Sequence, residues 1–172
     1  MSYKAYCNEA KDAAVIQLAQ TVKLRRWFHM HPELGLQEHM TADRICRELD
    51  GMGIPYTRAG DTGVVAVIQG QMPGPCIALR SDMDALAVQE LNSVEYRSLV
   101  PRVMHACGHD GHMAALLTAG NILQQHRKEL AGSVRLIFEP AEEMGYGAER
   151  MLASGLLKEV QAFFGLHFVP DL

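Results

Sequence analysis

The sequence contains few cysteines, and they follow no regular spacing. Its four cysteines, Cys7, Cys46, Cys76 and Cys107, are far apart in a chain of 172 residues. Small extracellular domains that depend on disulfides carry denser cysteines in recurring spacings. The pattern argues against a disulfide framework, and we predict a reducing, cytoplasmic location.

The chain also lacks an excess of positive charge and long apolar runs. Its net charge is −4 with a pI of about 6.0, and because no basic patch stands out we expect no nucleic-acid partner. No apolar run approaches the length that spans a bilayer, and the opening stretch MSYKAYCNEAKD lacks the apolar core of a signal peptide. We therefore expect no membrane partner. Hydrophobic residues make up 48% and charged residues 21%, which is typical of a soluble globular domain.

Helical and extended patterns alternate along the chain. Apolar residues that recur every three or four positions predict helices, and runs of β-branched and apolar residues predict strands. The predicted helices cover 8–30, 39–52, 111–126 and 147–155, and the predicted strands cover 64–69, 76–81, 133–138 and 161–166. This alternation predicts an α/β fold with a mostly parallel mixed sheet flanked by helices.

Residues 105–112, HACGHDGH, are the densest group of side chains that could bind a metal. Cys107 and His109 are two positions apart, so in an extended segment both would project to the same side. A thiolate beside an imidazole suits zinc, nickel, cobalt or manganese better than magnesium or calcium. Asp110 stands where it would cap the following helix. The competing interpretation is a buried structural cysteine beside a hydrogen-bonded histidine.

Acidic residues and one histidine follow three of the predicted strands. Strand 76–81 runs into Asp82 and Asp84, strand 133–138 into Glu142 and Glu143, and strand 161–166 into His167. Ligands of open α/β sheets gather beyond the carboxyl ends of the strands. We therefore expect these side chains to meet HACGHDGH at one edge of the sheet, in a metal-assisted hydrolase.

Each of these groups also has a structural interpretation. Glu142 and Glu143 could be a solvated pair; alternatively one binds metal while the other takes a proton from a water that the metal acidifies. Their spacing does not decide which does which. Asp82 and Asp84 could form a turn or helix cap, or orient a ligating histidine through its other ring nitrogen. His167 alone would be structural.

Five segments carry a resemblance to a known family. They read RRWFHMHPELGLQE (25–38), ALRSDMDAL (78–86), HACGHDGHMAALL (105–117), EPAEEMGYGAERM (139–151) and FGLHF (164–168). With these motifs in this order, the chain resembles the peptidase M20 amidohydrolases, in the branch of hippurate hydrolases, plant auxin-conjugate hydrolases and N-acetyl-diaminopimelate deacetylases. The resemblance implies a zinc-peptidase-like catalytic domain.

The resemblance also implies roles for individual residues around two divalent transition-metal ions, zinc, manganese, nickel or cobalt. Glu142 would be the general base that activates the water attacking an amide carbonyl. The metal ligands would be Cys107, His109, Glu143 and His167, and residues supporting them would be Asp82, Asp84 and His112. The substrate would be a small N-acyl amino acid, carrying an acetyl, benzoyl or similar group.

Family members are about twice as long as this chain. Residues 1–172 would then be the N-terminal portion of the metal-dependent catalytic domain. The lid or dimerisation domain and a C-terminal catalytic segment with one more metal-binding histidine would be absent. We expect this piece alone to be inactive, and the full-length form to be a possible homo-oligomer.

Two other functions stay open. Cys107 could be a nucleophile paired with His105 or His109, although this leaves the glutamate pair and His167 without a role. The cluster could also be a closed structural metal site in a non-catalytic binding or interaction domain.

Overall fold

The computed structural model describes residues 3–169 of the chain. Its elements are, in chain order, α1 (Tyr3–Met30), α2 (His39–Met52), β1 (Tyr56–Ala59), β2 (Gly63–Gln69), β3 (Met72–Asp82), α3 (His109–Gln125), β4 (Ala131–Glu139), α4 (Gly147–Ala153) and β5 (Ala162–Gly165). The predicted helices and strands are all present, with bounds that shift by a few residues. None of the helices in this part of the chain is long and apolar enough to cross a membrane.

The five strands form one sheet in the order β1-β2-β4-β3-β5. β3 lies parallel to β4 and to β5, whereas β2 pairs antiparallel with β1 and β4. Only β2 therefore runs against the other strands, which confirms the mostly parallel mixed sheet. The sequence analysis missed β1, because a segment as short as YTRA with two polar residues has no clear strand pattern.

Helices cover both faces of the sheet. On one face, α2 and α3 pack on β2 and β4 around a core that includes Ile45, Leu49, Leu117, Leu136 and Phe138. α1 packs on this layer through the buried Leu24 and Phe28. On the other face, Met151 of α4 and Leu157 pack on a smaller group that includes Val65, Ala78 and Ile137. The strands β2 and β4 are thus buried on both faces, as in other α/β domains, whereas the edge strand β5 is largely exposed.

The parallel register aligns the carboxyl ends of β3, β4 and β5. Asp82 of β3 pairs with Glu139 of β4, and Arg80 of β3 pairs with Gly165 of β5. The residues that follow each strand therefore leave the sheet at the same edge. The predicted convergence of the three strand ends is confirmed.

The ends of α2 and α3 are set by backbone geometry. Gly53 ends α2 in the left-handed conformation, with φ of 64°, as its position after the apolar pattern predicts. Gly108, with φ of 84°, precedes α3. The prediction that Asp110 caps α3 is wrong: the helix already begins at His109, and no side chain caps it.

Candidate metal centre

His109 lies at the centre of the polar cluster, in the first turn of α3. Its Nδ1 is 2.8 Å from the backbone oxygen of Asp84, so Nδ1–H donates to that carbonyl. This tautomer leaves a lone pair on Nε2. The Nε2 atom is buried and has no hydrogen-bond partner among the described residues, although buried polar atoms are ordinarily satisfied.

Sulfur and imidazole donors approach this nitrogen from one side. The Cys107 sulfur is 3.3 Å from His167 Nε2, and Cys107, His109 and His167 each place a ligand atom within 4.8 Å of the others. His167 follows β5, and Cys107 precedes α3. The structure thus brings together two segments that are 60 residues apart in sequence.

The two glutamates approach from the end of β4. Glu143 Oε1 is 3.7 Å and Glu142 Oε2 is 3.9 Å from His109 Nε2. The turn that carries them is held by Asp84, whose carboxylate oxygens each accept one backbone N–H, from Glu142 and from Glu143, both at 3.0 Å. Asp84 therefore supports His109 through its carbonyl and the glutamate pair through its side chain.

Asp82 and His112 form a second group of donors beside His109. His112 Nδ1 lies 2.7 Å from Asp82 Oδ1, and the other Asp82 oxygen is 3.6 Å from His109 Nε2. Arg80 donates to Asp82 at 2.8 Å. His112 Nε2 accepts the backbone N–H of Phe168 at 3.0 Å, which fastens the segment carrying His167 to α3.

Burial and neighbouring carboxylates together shift the pKa values of the cluster. Burial and the Glu143 carboxylate raise the pKa of the Cys107 thiol to about 11. Burial also raises the pKa of Glu142, and the neighbouring Asp82 and Glu143 add to this against Arg80 and His109. For His109, burial disfavours the charged ring, but Asp84 and Asp82 outweigh it and raise the pKa. Burial is thus the largest cause at Cys107 and Glu142, where carboxylates add to it, whereas at His109 the carboxylates outweigh burial.

These donors fit a transition-metal ion. The orphaned His109 Nε2, which offers a lone pair when the ring is neutral, faces a thiol, a second imidazole and three carboxylates. A mixed sulfur, nitrogen and oxygen set is typical of zinc and its neighbours. A bound cation would offset the negative charge and deprotonate the thiol. The residues that could hold ions are Asp82, Cys107, His109, His112, Glu142, Glu143 and His167.

The reason given from the sequence for pairing Cys107 with His109 is wrong. The segment is not extended there: His109 already belongs to α3, and the left-handed Gly108 turns the chain between the two residues. The structure brings the two side chains together through this turn. Gly111, in the first turn of α3, faces the Phe168 ring so closely that an added Cβ would lie 2.3 Å from it.

The sequence analysis missed a buried network behind the cluster. A histidine near the end of a helix often bonds one of the last carbonyls, as His31 bonds that of Trp27 at 2.7 Å. His29 instead lies between Asp110 and Glu90, at 2.9 and 3.1 Å. Its pKa is raised, chiefly by the Asp110 hydrogen bond and further by Glu90, against the effect of burial.

His105 does not join the cluster. Its ring is buried, neither nitrogen has a hydrogen-bond partner among the described residues, and burial lowers its pKa to about 4. It is therefore a neutral ring at ordinary pH. Only its place in the HACGHDGH segment had suggested a role.

Comparison with known proteins decides the family. The model of peptidase family M20/M25/M40 matches residues 78–172, more than half of the chain. The chain belongs to this family. Among solved structures, it is similar to the Bacillus subtilis YXEP protein, described as a dinuclear metal-binding peptidase of family M20. The two share 44% identity at a TM-score of 0.87, over 90% of this chain and 44% of that one.

Curated relatives include enzymes of named activity. The chain is 47% identical over 152 residues to the IAA-amino acid hydrolase ILR1-like 4 of Arabidopsis thaliana, covering 88% of this chain and 34% of the relative. It is 44% identical over 156 residues to an N-acetylcysteine deacetylase of Bacillus subtilis, covering 88% of this chain and 40% of that relative. The family resemblance found in the sequence is confirmed, and the chain spans well under half the length of these relatives.

Proposed function

We propose that the protein is a metal-dependent amidohydrolase that cleaves the amide bond of N-acyl amino acids. The observation that carries the proposal is the buried, unpartnered His109 Nε2, which faces the Cys107 thiol, the His167 ring and the Glu142 and Glu143 carboxylates. The named activities of the relatives, deacetylation and hydrolysis of amino-acid conjugates, support the substrate class.

In this proposal the cluster holds two divalent transition-metal ions, zinc, manganese, nickel or cobalt. Cys107, His109, Glu143 and His167 are the ligands. Asp84 orients His109 and the glutamate turn through the bonds described above. Asp82 and His112 support the centre from the buried side, where they bond each other at 2.7 Å. The dinuclear description of the YXEP protein supports two ions.

Glu142 is the general base in this proposal. The metal, when bound, supplies Lewis acidity that polarises the amide carbonyl and acidifies water. Glu142 takes a proton from the attacking water and delivers it to the leaving amine nitrogen. Its half-buried carboxylate has a pKa raised mainly by burial, and a raised pKa makes a carboxylate a better base and lets it return the proton later.

The proposal applies to the protein's full chain, since the relatives are more than twice as long as the matched region. We propose that a lid or dimerisation domain and a further catalytic segment with one more histidine ligand complete the centre, and that residues 1–172 alone lack turnover. The four cysteines, all free, support a cytoplasmic location.

The test is hydrolysis of N-acetyl, benzoyl and indole-acetyl amino acids by the metal-loaded full chain. Glu142→Gln should lower kcat by about 10²- to 10⁴-fold, the usual contribution of a general base, and should retain the metal. Glu149→Gln is the matched control, since Glu149 lies in α4, in the same motif but outside the cluster, and should leave kcat unchanged. Full activity of Glu142→Gln would remove Glu142 as the base.

The nucleophilic cysteine has less support. A reactive thiol needs a lowered pKa, whereas burial and Glu143 raise that of Cys107 to about 11. Its proposed partner His105 is buried and neutral. Resistance of turnover to chelators, together with inactivation by a thiol alkylator, would favour this alternative. Unfolding of the domain by chelation, with no turnover on any amide, would favour a structural metal site.

A further inference from the structure

Glu38 is a buried carboxylate that the proposed reaction does not use. It precedes α2, and its backbone carbonyl accepts the first bond of that helix, from Ala42 N at 3.0 Å. A residue at this position often caps its helix with its side chain, but Glu38 does not. Glu33 does so instead: its carboxylate accepts the backbone N–H groups of Met40 and Thr41 at 3.1 and 2.7 Å.

The Glu38 side chain reaches the turn that carries the glutamate pair. One carboxylate oxygen accepts the Ala141 N–H at 2.8 Å, and the other accepts the Thr62 hydroxyl at 2.5 Å. The residue is 0% exposed, and no cation in residues 3–169 pairs with it. Burying a carboxylate without a neighbouring cation costs free energy of folding. A carboxylate buried in this way therefore needs a reason beyond packing.

Three successive backbone N–H groups of this turn bind protein carboxylates. Ala141 donates to Glu38, and Glu142 and Glu143 donate to Asp84. Ala141 has a φ of 52°, an uncommon conformation for a residue with a Cβ. Successive N–H groups in such turns form concave anion sites, and here two side chains of the protein fill that site.

We propose that Glu38 is a positioning residue for Glu142. By holding the Ala141 N–H, it fixes the left-handed turn from which the Glu142 side chain extends towards His109. Asp84 holds the two following N–H groups from the other side, so the turn is fixed at each of its three residues. This inference rests on the proposed function, because Glu142 needs an accurate position only if it is the base.

The experiment compares two substitutions of Glu38 in the metal-loaded full chain. Glu38→Gln keeps a carbonyl oxygen for Ala141 and gains an N–H for the Thr62 hydroxyl. Glu38→Leu keeps the volume but removes both acceptors. Glu33→Leu is the matched control, because it makes the same change at a carboxylate that caps α2 and does not touch residues 141–143.

Three quantities are measured for each variant: amide hydrogen exchange at Ala141, metal content, and kcat and KM on the best amide substrate. In Glu38→Leu we expect Ala141 exchange at least about tenfold faster and kcat lower by about tenfold or more. KM and metal content should stay close to those of the unsubstituted protein. Glu38→Gln should have the Ala141 exchange rate, kcat, KM and metal content of the unsubstituted protein. Glu33→Leu should change neither Ala141 exchange nor kcat.

The proposal fails if Glu38→Leu leaves Ala141 exchange unchanged, or if Glu33→Leu lowers kcat to the same extent. Should Glu38→Leu not fold, Glu38→Asp replaces it, because the shortened side chain withdraws the acceptor from Ala141 and should give the same two changes. If the unsubstituted protein hydrolyses no amide, the proposed function fails, and Ala141 exchange still decides whether Glu38 holds the turn.

Discussion

The two sides of the metal cluster differ in how they are held. On the inner side, Asp82, Asp84 and His109 are almost completely buried, and hydrogen bonds link them to the glutamate turn and to α3. On the outer side, His167 is exposed and Cys107 is half-buried. Their side chains contact each other at 3.3 Å, and His167 Nδ1 also bonds the Phe168 carbonyl at 2.8 Å. Buried hydrogen bonds hold the inner side, whereas we expect a bound ion to fix the side chains of the outer side.

Because of this difference, we expect the inner side to contribute mainly to the stability of the fold and the outer side mainly to metal binding. Substitutions on the inner side should destabilise the protein even without metal, because they leave buried polar groups unpaired. Substitutions on the outer side should weaken metal binding and leave the metal-free fold almost unchanged.

Asp84→Ala should lower the free energy of unfolding of the metal-free protein by about 2 kcal/mol, because the N–H groups of Glu142 and Glu143 lose their acceptors. The measurement is denaturant unfolding in the presence of a chelator. His167→Ala is the counterpart on the outer side, and it should change this free energy by less than about 0.5 kcal/mol. Equal effects of the two substitutions would remove the division between the sides.

The His29 network should make the free energy of unfolding depend on pH, with a smaller effect than that of Asp84→Ala. The pKa of His29 is raised in the folded protein, first by the Asp110 hydrogen bond and then by Glu90, against burial. Its stabilisation is therefore complete below the unfolded pKa of about 6.5 and is lost as pH rises through the folded value. The difference in unfolding free energy between the unsubstituted protein and His29→Leu should therefore decrease as the pH increases through the pKa of His29 in the folded protein.

Unfolding curves at several pH values, with chelator present, measure this difference. His126→Leu is a suitable control, because His126 is a half-buried histidine at the far end of α3. A free-energy difference for His29→Leu that is constant with pH would show that the charge on His29 does not support the first turn of α3.

Much of the fold and the site could be predicted from local pattern. β3 and β4 are apolar runs whose last residues are followed by acidic residues, and parallel pairing brings such ends to one edge. The dense HACGHDGH segment, together with the acidic residues and His167 at the strand ends, was therefore sufficient to predict one cluster. The roles proposed for Glu142 and Glu143 rest on the resemblance and not on their spacing.

The remainder depends on tertiary contacts that leave no local signal. A buried glutamate such as Glu38 has the same sequence appearance as a surface one, and its partner Ala141 is 103 residues away. Asp110 follows the first residue of α3 and resembles a cap, but its carboxylate is bound by His29 and Arg25 from α1. The sequence places the start of α3 two residues too late, because Asp110 resembles a cap, whereas the helix begins at His109 after the left-handed Gly108.

X-ray absorption of the zinc-loaded full chain tests the central claim most directly. If the outer side closes on an ion, the zinc spectrum contains a sulfur ligand at about 2.3 Å beside nitrogen and oxygen ligands. That sulfur contribution disappears in Cys107→Ser and persists in Cys76→Ser, a cysteine of β3 outside the cluster. A spectrum with only nitrogen and oxygen ligands, unchanged by Cys107→Ser, would contradict the account.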